Sequence, residues 1–145
     1  SQREFFYVEL DEAIKAIEDL EGDYFFQYQS WQNQLLEIAI NPSRVNETEL
    51  FDGNELQVLS CLQQLLTEGI KLKVLKSDSA NLELNKVIEK TSQRYLFKLL
   101  DDTSRAIALS KTTVNMKLLL DNVLIVWSHI THLKHYPTIT HTQEF

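Results

Sequence analysis

Apolar residues recur along most of this chain at intervals of three and four, the spacing of one face of an α-helix. Over residues 4–20, Phe6, Leu10, Ala13, Ile17 and Leu20 share a stripe, while Glu4, Asp11, Lys15, Glu18 and Asp19 lie away from it. This predicts an amphipathic helix with one wet side. Gly22 interrupts the pattern, and Asp23 is placed to cap a second helix by accepting an orphan backbone N–H. That helix, over about 24–40, gathers Phe25, Tyr28, Trp31, Leu35 and Ile38 on one face, expected to be core. Asn41-Pro42 ends it, because proline clashes with a continuing turn and restricts the residue before it.

Residues 41–54 read as the clearest loop, and Asn54 caps a third helix that runs to about Lys76. Val58, Leu59, Leu62, Leu65, Leu66 and Ile70 share its apolar face. Gly69 costs that helix about 1 kcal/mol relative to alanine and predicts a kink or an early stop. Ser77-Asp78-Ser79 makes a second break, followed by a short helix over 82–90. Thr91 and Ser92 offer caps for a helix over 92–110 with Tyr95, Leu96, Leu99, Leu100, Ala106 and Ile107 inward.

The last helix, about 115–135, differs from the others. Met116, Leu119, Leu120, Val123, Leu124, Val126, Trp127 and Ile130 cover half its circumference, wider than the stripe of an ordinary surface helix. Leu118 and Ile125 then lie nearly opposite, flanked by Asp121, Asn122, His129 and His132. Either this is a central helix buried by its own domain, or it packs inward with one face and on a neighbouring subunit with the other. Pro137 stops it, and 138–145 reads as a frayed tail. The expected fold is all-α, a single compact bundle of about five to six helices in one domain over 1–137.

Composition narrows the functional classes. With 43% apolar residues, 24% charged residues, 3 glycines and 2 prolines in 145 positions, disorder and a turn-rich β fold are excluded. Cys61 is the sole cysteine, so an internal disulfide and a Cys-rich zinc site are excluded too. No apolar run reaches the roughly 18 residues of a membrane span, and no signal-peptide pattern is present, so a cytoplasmic protein is expected. The chain opens on Ser1 and its one methionine is Met116, which leads us to expect a segment of a longer protein.

Charge is uneven: residues 1–60 hold 13 acids and 3 bases, and 61–145 hold 8 acids and 11 bases. The spaced Lys71, Lys73 and Lys76 are no dense phosphate-binding footprint, and no direct nucleic-acid binding is expected. Glycines at 22, 53 and 69 cannot build a phosphate-binding loop, and no G-x-S-x-G elbow or paired Glu-x-x-His motif occurs. No catalytic residue and no cofactor are therefore assigned, and the segment is not expected to be an enzyme. Cys61 falls on the core face of its helix, where a small hydrophobe is the usual role. His129, His132 and His135 recur every three residues, but on one helix that spacing fans out over about 120° and closes no tetrahedral metal site. A histidine near a helix C-terminus already has a favourable role beside the exposed carbonyls.

Three features coincide in order: Val58-Leu59-Ser60-Cys61-Leu62-Gln63-Gln64-Leu65-Leu66; Tyr95-Leu96-Phe97-Lys98-Leu99-Leu100 continuing through Arg105-Ala106-Ile107; and Asn115-Met116-Lys117-Leu118-Leu119-Leu120-Asp121-Asn122-Val123-Leu124-Ile125-Val126-Trp127. Together, residues 54–136 resemble the C-terminal domain of the delta-prime subunit of bacterial DNA polymerase III. Residues 24–40 fit less distinctly, 1–23 barely, and the polar, acidic stretch at 41–55 looks like an insertion. In that family this domain joins four others in a collar that holds the clamp loader together. The resemblance implies a scaffold role during DNA replication, with clamp-loader subunits of the gamma/tau and delta types as partners. Helix geometry selects Leu118, Asn122, Ile125 and His129 as the partner interface. The alternatives are an unrelated helical protein–protein adaptor and a metal-binding helical protein using His129 and His132.

Overall fold

A computed structural model describes residues 2–139, with the side chains of 2–7, Thr48 and Leu50 left aside. The described residues are all-helical: α1 (Gln2–Ile40), η1 (Pro42–Phe51, a 3₁₀ segment), α2 (Glu55–Leu75), α3 (Leu82–Glu89), α4 (Gln93–Leu109) and α5 (Met116–Ser128). The chain divides into two compact units, residues 1–31 and 32–145. This boundary falls inside α1 and has no counterpart in the sequence reading, which runs one domain from 1 to 137.

The two expected N-terminal helices are one. α1 passes through Gly22 without a break, and nothing lies within 4 Å of where a Cβ would stand. A lone glycine lowers helix stability by about 1 kcal/mol but removes no hydrogen bond, so the helix can run through it. In the first unit, Leu10, Ile17 and Leu20 are exposed along with the polar residues, so the expected covered stripe is open; Phe6 lies outside the described side chains. Phe25, expected in the core, is exposed as well.

The second unit is built around α2, which packs on α3, α4 and α5, while α5 also packs on α4 and on η1. All six residues of the expected α2 stripe are buried, together with Cys61. Leu35, Leu36, Ile38 and Ala39, in the last turns of α1, join this core. α2 does not stop at Gly69. A Cβ there would meet Ile88 Cδ1 at 2.4 Å, so the glycine leaves room for the tip of the Ile88 side chain on α3. The helix instead ends at Lys76, whose φ of 52° is the left-handed cap conformation. The Lys73 ammonium donates to the Ile88 carbonyl at 2.7 Å and to that of Thr91, tying α2 to carbonyls at the C-terminal end of α3.

Residues 42–51, expected as loop, are two short 3₁₀ turns joined at Glu47. Pro42 opens them, its fixed φ suiting a first helical turn. Phe51 is buried and anchors the segment beside α5, a core residue the loop reading overlooked. α5 ends at Ser128, about two turns sooner than expected. The chain after it folds back: the Tyr136 hydroxyl donates to Asp102 at 2.6 Å and the Tyr95 hydroxyl to the Lys134 carbonyl at 2.8 Å. Burial and the Asp102 carboxylate hold the Tyr136 phenol well above its ordinary pKa. Of the expected tail, residues 140–145 lie outside the described residues. No helix among the described residues is long and apolar enough to cross a membrane.

Candidate interaction face on the last helix

Asn115 sets the start of α5. Its side-chain oxygen accepts the Leu118 N–H at 3.2 Å, satisfying one orphan donor of the first turn. Leu119, Leu120, Val123, Leu124, Val126 and Trp127 then point into the core. The Trp127 indole N–H donates to the Leu35 carbonyl at 2.7 Å inside that core, and the Trp127 ring is fully enclosed. A helix held by so broad a buried face and a directional bond has one rotation available about its axis. That rotation decides what is left outside.

Leu118 and Ile125 are left outside, 45% and 55% exposed. Asn122 is half-buried between them. At 3.6 residues per turn, Leu118, Asn122 and Ile125 fall within about 60° of one another, a narrow ladder along the helix. His129 is exposed and closes the helix as its C-cap, its N–H donating to the Val126 carbonyl at 3.1 Å. The four candidate residues thus share the outer side of α5 and its end. At the opposite end, Lys117 lies 3.8 Å from Asp52, a long ion pair between half-exposed groups that contributes little.

The histidines do not form a helical ladder, because the helix has ended before His132 and His135. His132 instead lines a shallow recess with Thr131, Lys86 and Lys90. Two ammonium groups beside an imidazole oppose a divalent cation. Among the described residues no group of three or more His, Cys, Asp or Glu is placed to hold a metal ion.

Sequence reasoning missed the Tyr136–Asp102 clasp and the burial of Phe51. An aspartate on the inner side of α4 was the available signal for the first, since a buried carboxylate demands a donor. No family model, curated protein or solved structure matches this chain.

Proposed function

We propose that residues 32–139 form a non-catalytic oligomerisation domain of a clamp-loader subunit of the delta-prime type, holding that subunit in the ring during DNA replication. The observation that carries this reading is the outer ladder of α5. Leu118 and Ile125 remain exposed on a helix whose other faces are filled, and in this reading a neighbouring subunit completes their burial. The ordered resemblance over 54–136 supplies the partner class, the gamma/tau and delta types of subunit. The domain's work is then mechanical: it gives moving nucleotide-driven modules a fixed ring to act against.

Co-purification tests this. The full-length subunit assembles with the other clamp-loader subunits, and the same protein lacking residues 32–145 does not. Normal assembly of the deleted protein overturns the reading. The helical-adaptor reading predicts a stable monomer that ignores clamp-loader subunits yet captures a helix, and the same experiment separates the two.

A further inference from the structure

α1 carries a second surface that the clamp-loader reading leaves unused. Every residue from Val8 to Gln27 is exposed. Large apolar side chains in this stretch range from 44% exposed at Ile14 to 76% at Phe26. Leu10, Ile14, Ile17, Glu21 and Tyr24 alternate by four and three, the spacing of a coiled-coil seam. The same register continues in the sequence to Leu35 and Ile38, which are core residues of the second unit. Leu20 and Phe25 widen the seam on its flanks. A helix this open, with this period, lacks a partner helix and not a ligand-sized molecule.

Charge selects the partner. Residues 8–27 hold seven acids and one base, Lys15. Glu21 stands within the seam, and Asp11 and Glu18 stand beside it. A second copy in parallel would set Glu21 against Glu21, and in either direction two strongly acidic helices repel. An anionic lipid surface is disfavoured for the same reason. A helix with its own apolar seam and with Lys or Arg beside it meets both demands, covering Leu10, Ile14, Ile17 and Tyr24 while placing a cation against Glu21. We infer that residues 8–27 of α1 are the docking site for a basic amphipathic helix of a partner protein.

The test uses the 145-residue chain and three synthetic four-heptad peptides. One has leucine at the seam and lysine beside it; one has the same seam with glutamate beside it; one is a scramble of the first. Titration calorimetry shows one-to-one binding of the lysine-flanked peptide, weakened by salt, and no binding of the other two. Ile17→Asp and Glu21→Lys each lower that affinity by about tenfold or more. The melting of the second unit, followed at Trp127 in a Trp31→Phe background, does not change. The inference is overturned if the glutamate-flanked or scrambled peptide binds equally, or if none binds. It is also overturned if Ile17→Asp abolishes self-association of the chain, or its binding to phosphatidylcholine vesicles, instead. Leu118 and Ile125 variants leave this binding intact, so the two surfaces fail or stand separately.

Discussion

Replacing Leu118 and Ile125 together by alanine tests the α5 face most directly. Full burial of a leucine or isoleucine side chain contributes about 1.5–3 kcal/mol. The two residues are 45% and 55% exposed, so roughly half of each remains for a partner to cover. Completing both burials therefore contributes about 1.5–3 kcal/mol in all. Losing it weakens association by about 10- to 150-fold. The half of each side chain already covered by the domain itself is lost too, offset in part by alanine's better helix propensity, so the free domain stays folded with its stability lowered by about 1–2 kcal/mol. The assay is the Kd of the full-length subunit for its gamma/tau and delta partners by interferometry, beside thermal melts of native and variant protein. Val74→Ala on α2, at a position also 55% exposed, serves as the exposed apolar control and leaves Kd unchanged. A double variant that stays folded and binds within about threefold of native refutes the assignment of this face. A destabilisation above about 4 kcal/mol, the size expected of two core truncations, refutes the premise that the ladder lies outside the core.

Trp127→Phe removes the indole bond to the Leu35 carbonyl and leaves a void, at a cost of about 2–3 kcal/mol, read as a lower urea midpoint at constant slope. Gly69→Ala sets a methyl against Ile88 and destabilises by about 1–2 kcal/mol despite the better helix propensity; adding Ile88→Val removes the closest atom and restores most of the loss. The raised pKa of Tyr136 makes the folded state favour the neutral phenol. Its stabilisation is whole below the unfolded tyrosine value near about 10 and is lost as pH rises above it. Denaturant melts across that range show native stability falling more steeply than that of Tyr136→Phe, and parallel curves would contradict the clasp with Asp102.

Helix type was legible wherever a long apolar period met a clear punctuation signal. α2, α3 and α4 begin and end within a residue or two of expectation, because a polar break precedes and follows each; the Asn54 and Ser92 side chains, expected as caps, accept no capping hydrogen bond, whereas Asn81 accepts from the Glu83 and Leu84 N–H groups. Punctuation failed where it was weak or distant. Gly22 reads as a stop by itself, yet no bond is lost by passing through it. After α5 the chain folds back on α4 through Tyr95 and Tyr136, and no local pattern at 129–135 announces contacts made 34 and 39 positions away. The exposed ladder could be placed opposite the broad stripe by counting, but counting could not say whether the domain's own helices covered it.

Period, composition and caps alone determined that this chain is helical, which faces are apolar, and that Leu118 and Ile125 oppose the main stripe of α5. These follow from backbone geometry, which repeats the same way in every helix. Only the tertiary structure decided which apolar faces are satisfied: the stripe of α2 is sealed, the N-terminal stripe of α1 is open, and the outer ladder of α5 stays in solvent. Burial depends on what another element brings to a face, as Leu35 brings its carbonyl to Trp127, and that neighbour is a property of packing that no single segment encodes.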